Sequence, residues 1–178
     1  EWINEIEYTY RNPSAARNVA YSYARGNIVV CQSDDVMHMT ENSISKLAII
    51  PPGEFNIATV WNVKNGVQTK LYTGKDNPRP FFFLGSLRIE DLFAIGGCDE
   101  EFTAPGFDDD WFADCLMKGR GLRPNIMESV IGHHQHHARP KGLPSLSRPS
   151  AELYARKVQL AEKGEIKWES SGGPWELS

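Results

Sequence analysis

Residues 26–35 read Gly-Asn-Ile-Val-Val-Cys-Gln-Ser-Asp-Asp, and this stretch decides the predicted fold class. Residues 28–31 form a short continuous apolar run, which is typical of a strand buried on both faces of a mainly parallel sheet. The run leads to the adjacent carboxylates of Asp34 and Asp35. Open α/β sheets bind ligands where their strands end, and neighbouring carboxylates repel each other unless a cation offsets their charge. The stretch therefore predicts an α/β protein with a metal site, although a solvated turn is the simpler interpretation of the two aspartates alone.

The segments around this stretch predict a mixed sheet flanked by helices. Asn12-Pro13 is a helix start signal, and apolar residues then recur at helical spacing until Gly26. Residues 57–63 and 67–72 flank Asn65-Gly66, which predicts a hairpin with a tight turn. Further helices are predicted over residues 40–50, 89–95, 108–118 and 150–163, and further strands over 81–84 and 127–131.

Composition narrows the class of protein. The chain has 178 residues, of which 40% are hydrophobic and 24% charged, and this predicts one globular domain with a core. A net charge of −4 argues against broad binding to nucleic acid or to an anionic membrane. Cys31, Cys98 and Cys115 are odd in number and lack CxxC spacing, which argues against disulfides and against a cysteine zinc site. With no membrane-spanning run and no signal peptide pattern, the sequence predicts a soluble cytoplasmic protein.

Three polar clusters follow predicted strands or begin predicted helices: Asp34-Asp35, residues 108–110, and residues 133–137. Each has an ordinary explanation, because acidic residues at a helix N-terminus favour its dipole and a histidine run can be a polar loop. Their occurrence together in one α/β domain favours a functional site. Carboxylates with an imidazole suit Mn²⁺ or Mg²⁺ bound with phosphates, whereas catalytic zinc usually takes three nitrogen or sulfur ligands and no HExxH motif is present.

The order of five segments resembles the family 2 glycosyltransferases of the GT-A fold. These segments are residues 16–18, 26–35, 95–100, 106–110 and 130–134, and the resemblance runs from about residue 12 to residue 137. It implies a Rossmann-like GT-A domain with a mixed, mainly parallel sheet over residues 1–149, followed by a C-terminal helix and tail over 150–178. Relatives begin with a strand, a helix and a strand before the matching segments, so the resemblance implies an N-terminally truncated domain.

The resemblance also implies a metal site and a donor. Asp34 and Asp35 match the DXD element, which holds Mn²⁺ or Mg²⁺ against the diphosphate of a nucleotide sugar, most simply a UDP-sugar. His134, or its neighbour His133, matches the downstream histidine that completes the metal site in many relatives. Because Gln32 or Ser33 stands where the first acid of the motif is usual, the resemblance leaves open which aspartate binds the metal.

Residues 108–110 match the acidic element whose aspartate is the catalytic base. Asp109 is the expected base with Asp108 in the preceding acidic position, and a shift by one residue, to Asp108 or Asp110, stays open. The implied reaction is an in-line displacement at the anomeric carbon of a sugar. The base removes the proton of the acceptor hydroxyl, and the metal offsets charge on the leaving nucleoside diphosphate.

Six further residues are expected at the donor and acceptor pocket. Gly96-Gly97 permits close backbone approach, and Trp111 is a candidate for stacking on a sugar, although aromatic residues in such patterns more often belong to a core. The expected set is Arg17, Asn18, Ser33, Gly96, Gly97 and Trp111.

The implied function is a metal-dependent, inverting glycosyltransferase that acts on a glycan or another hydroxyl acceptor. The alternative is a non-catalytic carbohydrate-binding or structural module with the same fold. A metal-dependent phosphohydrolase or nucleotidyltransferase shares the carboxylate chemistry but gives no account of residues 95–100. A sheet that lacks its first strands exposes an edge, so the sequence also predicts self-association or pairing with a polypeptide that supplies the missing strands.

Overall fold

The computed structural model describes residues 12–137 and 142–171, in which helices flank a six-stranded mixed sheet. The strands are β1 (Ile28–Gln32), β2 (Val36–His38), β3 (Glu54–Lys64), β4 (Val67–Thr73), β5 (Leu84–Arg88) and β6 (Arg123–Gln135). The helices are α1 (Ser14–Ser22), α2 (Ser43–Leu47), α3 (Ile89–Ala94), α4 (Asp108–Asp114), α5 (Leu143–Leu146) and α6 (Arg148–Glu162), and α4 continues into a π-helical turn at Cys115–Gly119. None of the described helices is long and apolar enough to cross a membrane.

The sheet has the strand order β1-β5-β3-β6-β2, and β4 also pairs with β3. The predicted mixed α/β fold is confirmed. The prediction that the sheet is mainly parallel is wrong, because β3 and β6 are the parallel pair and β1·β5, β3·β5, β3·β4 and β2·β6 are antiparallel. The apolar run in β1 reflects apolar packing on two faces: Val29 and Cys31 belong to one core cluster, and Val30 packs against another. Such a run reports burial and carries no information about strand direction.

The predicted hairpin is confirmed by β3 and β4. Its turn residues Asn65 and Gly66 have φ angles of 51° and 77°. Positive φ at both central positions is the requirement of the tight turns that match the twist of a hairpin, and Asn-Gly meets it at low cost. The turn therefore forms where the sequence predicts it.

Two strands differ from their predicted positions. Residues 81–83 form a turn before β5, where Phe82 is buried against Phe55 with ring centroids 5.5 Å apart. The last strand is longer than predicted, because β6 continues through His133 and His134 to Gln135. Successive side chains of a strand point to opposite faces, so neighbouring histidines of this run separate to the two sides of the sheet.

The core consists of two clusters, one on each face of the sheet. Residues of β3 contribute side chains to both. Phe55 and Ile57 face a cluster with α1, α3, α4 and α6, whereas Ala58 and Val60 face a cluster with α2. α6 contributes buried Ala161 to the first cluster. The helices thereby cover both faces of the sheet, Asp35 and the histidine run lie where β1 and β6 end, and the acidic cluster begins α4.

Candidate metal centre and acidic cluster

Asp35, His134 and His137 converge where β6 ends, and we call them the Asp-His-His cluster. Asp35 Oδ2 lies 2.9 Å from His134 Nε2 and 3.2 Å from His137 Nε2. One potential ligand atom from each residue lies within 4.8 Å of the others. Three groups of this kind at this spacing are suitable for binding one cation.

The backbone brings these side chains together through β2. Asp35 immediately precedes β2, and the register of β2 with β6 places Val36 opposite His134. The Gln135 N–H donates to the Asp35 carbonyl at 2.8 Å. The turn between β1 and β2 is therefore fixed to the end of β6, and Asp35 lies beside His134.

The surroundings of His134 fix the orientation of its ring. Its side chain is only 5% exposed, and the rings of Tyr72 and Phe83 contact it edge-on with centroids 5.0 and 5.6 Å away. His134 Nδ1 lies 3.2 Å from Asn62 Oδ1, and the Asn62 amide nitrogen donates to Thr69 at 2.7 Å. Oδ1 of Asn62 is then an acceptor for Nδ1–H of His134, and Nε2 faces Asp35 Oδ2 at 2.9 Å, a pair of atoms that needs a proton or a cation between them. Outer hydrogen bonds of this kind are usual for histidines that bind metals.

The donor atoms fit a divalent cation. Asp35 Oδ1 is buried and has no hydrogen-bond partner among residues 12–137 and 142–171, which leaves acceptor capacity unused at the cluster. The set combines carboxylate oxygen with two imidazole nitrogens. Imidazole is a better ligand for Mn²⁺ and later transition metals than for Mg²⁺, so the second histidine favours Mn²⁺ between the two expected ions.

The cluster differs from the expected metal set. Asp34 is exposed and lies outside the cluster. His133 is also outside it, and its Nε2 lies 3.1 Å from the Gln68 side-chain nitrogen. His137 belongs to the cluster and was not selected from the sequence, although the run of histidines was. The signal available in the sequence was the run of histidines itself, which does not show which of its members lie beside Asp35.

The second site is the acidic first turn of α4. Arg17 Nη1 lies 2.9 Å from Asp109 Oδ1 and 3.8 Å from Asp108 Oδ2. Asp110 instead accepts hydrogen bonds from Arg79 Nη2 at 2.6 Å and Nε at 3.1 Å. Asp108 and Asp109 thus share Arg17 as their cationic neighbour, whereas Asp110 pairs with Arg79, and the expected base Asp109 makes the shorter contact with Arg17.

Burial and charge act in opposite directions in this cluster. Burial raises the pKa of Asp108 to about 6, the Asp109 carboxylate raises it too, and Arg17 opposes both. Burial is the largest influence on the Arg17 pKa and lowers it, but Asp109, Cys98 and Tyr21 together outweigh burial, so the pKa of Arg17 lies above its ordinary value. Arg17 is therefore a permanent cation between the two carboxylates, and Asp108 takes up a proton at mildly acidic pH.

The raised pKa of Asp108 predicts a pH-dependent stability. The folded chain holds the Asp108 proton up to about pH 6, whereas the ordinary value is 3.8. This group therefore contributes most stability below about pH 4, and the contribution is lost as the pH rises through about 6. We expect Asp108→Asn to unfold at higher urea than the wild type at neutral pH, by about 1–3 kcal/mol, with no difference near pH 4. Exposed Asp34→Asn is the control, and a gain of equal size at both pH values would contradict the expectation.

A continuous series of contacts joins the two sites. The Arg79 guanidinium, which binds Asp110, lies 4.4 Å from the centroid of the Phe81 ring. Phe81 contacts Phe83 at 5.8 Å, and Phe83 contacts His134 at 5.6 Å. The Phe81 and Phe83 rings therefore lie between the acidic cluster and the Asp-His-His cluster.

Some of the expected pocket residues hold the fold together. Asn18 is 4% exposed, and its amide donates to the Cys98 carbonyl and to Glu100, each at 2.8 Å. The Cys98 N–H donates back to Asn18 Oδ1 at 2.8 Å. Asn18 therefore ties α1 to the turn after α3. Ser33 has a similar local role, because its N–H donates to the Phe83 carbonyl at 2.9 Å.

The glycine pair and the tryptophan also pack inside the protein. Gly96 and Gly97 have φ angles of 76° and 72° and end α3, and a Cβ on Gly96 would lie 2.6 Å from the Ser170 carbonyl oxygen. The close approach at Gly96 is thus made by the chain itself. Trp111 is fully buried, with its ring 5.3 Å from that of Trp168. The prediction that Trp111 stacks on a sugar is wrong, and the alternative that it is a core residue is correct.

Comparison with solved structures shows the fold. No family model matches the sequence. The chain is similar to Drosophila β1,4-galactosyltransferase 7, in a mutant complex with manganese, UDP-Gal and xylobiose, with a TM-score of 0.52 and 12% identity over 78% of this chain and 61% of that chain. A complex of the catalytic domain of that enzyme with xylobiose gives a TM-score of 0.49 at 14% identity, over 79% of this chain and 61% of that chain. The predicted glycosyltransferase-type fold is confirmed, and membership of family 2 stays a prediction.

One curated relative is similar in sequence. It is a xylan 1,4-β-xylosidase of Xylanibacter ruminicola, 24% identical over 164 residues, which are 92% of this chain and 17% of that protein. The chain thus spans about a sixth of the length of this relative, and 61% of the galactosyltransferase chains. The match therefore concerns one part of a much longer protein.

Proposed function

We propose that the chain carries the sugar-transfer site of a metal-dependent, inverting glycosyltransferase. The observation that carries the proposal is the convergence of Asp35, His134 and His137, with an unused carboxylate oxygen, where β6 ends. The fold shared with a galactosyltransferase that binds manganese and UDP-Gal supports it. Asp109 is the residue expected to act as the base, and the Phe81 and Phe83 rings lie between the acidic cluster and the Asp-His-His cluster.

Asp35, His134 and His137 would hold Mn²⁺ in this proposal. The bound metal would supply positive charge to the donor diphosphate and so stabilise the leaving nucleoside diphosphate. His134 provides a fixed ligand because Asn62, Tyr72 and Phe83 restrict its ring. His137, with a side chain 57% exposed, can move as the donor enters.

The acidic cluster supplies the base and the acceptor contacts. Asp109 accepts the proton of the attacking hydroxyl, and Arg17 holds its carboxylate in place at 2.9 Å. Arg17 also stabilises Asp108 as a second anion above about pH 6. Asp110 and Arg79 are placed to position the acceptor, because Arg79 bridges Asp110 and the Phe81 ring.

The comparisons suggest which substrates to test first. The galactosyltransferase structure contains UDP-Gal and xylobiose, and the longer relative is named for xylan. A UDP-sugar donor with a xylose-containing glycan acceptor is therefore the most informative first assay. The chain covers only part of both proteins, so a transferring form of the protein can require residues beyond these 178.

Metal binding gives the direct test of the proposal. A ligand that binds only the folded state raises the melting temperature, and at 100 times its dissociation constant it adds about 2.7 kcal/mol, or roughly 5–10 °C for a domain of this size. We expect Mn²⁺ with UDP to produce a shift of this order in the wild type. Asp35→Asn and His137→Gln should remove most of it.

Matched controls come from the same two segments. His133→Gln and Asp34→Asn change the neighbouring histidine and aspartate, which lie outside the Asp-His-His cluster, and should retain most of the shift. Equal shifts in all four variants would sink the metal-site proposal. A shift lost in Asp34→Asn but kept in Asp35→Asn would reassign the aspartate ligand.

The non-catalytic module is a second candidate, and one observation favours it. Asn18, Gly96 and Trp111 pack within the chain and do not line an open donor pocket. A module of this kind would bind glycan without binding UDP. Calorimetry with UDP and Mn²⁺, and separately with xylobiose, distinguishes the two, because a glycosyltransferase site must bind the nucleotide.

A further inference from the structure

In the part of the chain that the structure describes, β1 is an edge strand with one open side. Among the described residues it pairs with β5 alone. The Ile89 N–H donates to the Asn27 carbonyl, and the Ser33 N–H donates to the Phe83 carbonyl, each at 2.9 Å. In an antiparallel pair, the main-chain N–H and C=O groups of alternate residues either bond the neighbouring strand or point away from it. Odd-numbered residues of this segment therefore bond β5, and the main-chain groups of Ile28, Val30 and Gln32 point to the open side.

This edge lacks the usual protection against pairing. Proteins commonly guard exposed edges with lysine, proline or a bulge. β1 reads Ile-Val-Val-Cys-Gln, without charge or proline, and its register with β5 is unbroken. Such an edge is a template for another strand.

We propose that the open edge of β1 pairs with the same edge of a second copy of this chain. An antiparallel arrangement about a two-fold axis at Val30 places Ile28 opposite Gln32 of the other copy and Val30 opposite itself. Each of the three outward-pointing positions then exchanges both of its main-chain hydrogen bonds, which gives about six bonds. No other register uses all three positions.

Charge complementarity favours a second copy as the partner. Arg25 precedes β1, Asp34 follows it, and both are exposed. Neither forms an ion pair with another described residue in the single chain. The two-fold arrangement brings Arg25 of each copy to the end of β1 where Asp34 of the other copy lies. The pairing thus adds two opposite-charge contacts at the ends of β1.

α1 extends the surface formed by the pair. Tyr21 contacts Cys31, with its hydroxyl 3.1 Å from the sulfur, so α1 packs on the face of β1 that carries Cys31. A two-fold axis perpendicular to the sheet leaves both α1 helices on the same face. The exposed apolar side chains of α1, among them Val19 at 61% and Tyr23 at 74%, then lie on the same side of the pair.

The pairing has a consequence for the proposed transfer site. Asp34 adjoins Asp35, so the second copy supplies a guanidinium beside the Asp-His-His cluster. This consequence rests on the proposed function, whereas the interface itself does not. The interface can therefore be tested without metal, nucleotide or sugar.

Val30→Pro is the decisive variant. Proline has no N–H, and the N–H of Val30 points to the open side of β1. The hydrogen bonds between β1 and β5 therefore remain, and proline is tolerated on edge strands. Sedimentation velocity over a concentration series should show a monomer–dimer equilibrium for the wild type and a dissociation constant at least about 10-fold weaker for Val30→Pro. Thermal melting of each variant confirms that it is folded. A wild type that stays monomeric at every concentration would overturn the proposal.

Two further measurements test the register. Arg25→Glu and Asp34→Lys should each weaken association several-fold, and the double variant should restore it. Val30→Cys should cross-link to itself under mild oxidation, whereas the control Val67→Cys, on an exposed part of β4, should not. The native cysteines are all buried and contribute little background. A dimer that survives Val30→Pro, or that cross-links equally through Val67→Cys, would overturn the proposed interface.

Discussion

Replacing Asp109 by asparagine is expected to lower turnover by about 100-fold or more in a form of the protein that transfers sugar. An amide cannot accept the acceptor proton, while its size and its contact with Arg17 are nearly conserved. Asp109 Oδ1 lies 2.9 Å from Arg17 Nη1, so the side chain keeps its position when an amide oxygen replaces this atom. Donor affinity, measured by calorimetry with UDP and Mn²⁺, should change little.

The neighbouring carboxylates provide the controls for this assignment. Asp108→Asn removes a carboxylate that holds its proton below about pH 6, and it should change the pH profile more than the maximal rate. Asp110→Asn breaks the contact with Arg79 and should raise KM for the acceptor. If Asp108→Asn or Asp110→Asn abolishes turnover and Asp109→Asn does not, the base is assigned to the wrong residue.

Local signals predicted the parts of the fold that depend on local chemistry. Asn65-Gly66 fixed the hairpin, because both residues adopt positive φ at low cost. The first turn of α4 begins with Asp108, as the run of acidic residues and the helix dipole indicated. These elements are determined by residues that are close together in the sequence, so the sequence alone indicates them.

Which residues form the Asp-His-His cluster could not be predicted from the sequence, because this depends on contacts between separate strands. His134 and His133 are equivalent in the sequence, and only the register of β2 with β6 places His134 beside Asp35. His137 joins them because the chain turns after β6. The direction of β1 was equally inaccessible, because a run buried by two clusters has the same composition whether its neighbour is parallel or antiparallel.

The packing of Trp111 shows a related limit. Trp111 directly follows the acidic cluster, which made it a candidate for a sugar contact. In an amphipathic helix, however, the residues opposite the polar face usually belong to the core. Trp168, more than fifty residues later, covers it at 5.3 Å. Nothing near Trp111 in the sequence indicates that partner.

A buried ion pair holds this region together, and its loss should have the largest effect on stability. Lys157 of α6 lies 2.9 Å from Asp99 Oδ2 and 3.0 Å from Glu101 Oε2. The side chains of Lys157 and Asp99 are 9% and 0% exposed. Burial disfavours the Lys157 charge, but its acidic partners outweigh burial and raise its pKa. Asp99 also accepts hydrogen bonds from the Glu101 N–H at 3.0 Å and from Ser171 at 2.8 Å.

Lys157→Met is therefore expected to lower the free energy of unfolding by about 3–5 kcal/mol, because it leaves the Asp99 carboxylate buried without its cation. For a domain of this size the melting temperature should fall by roughly 6–20 °C, measured by calorimetry. Exposed Lys163→Met, on the residue that follows α6, is the matched control and should change little.

The double variant Asp99→Asn/Lys157→Met identifies the physical cause of that loss. An asparagine oxygen can still accept from Glu101 and Ser171, and no charge then remains to be buried, so much of the stability should return. If the double variant is as unstable as Lys157→Met, the loss comes from the packing of the Lys157 stem and not from an unpaired charge.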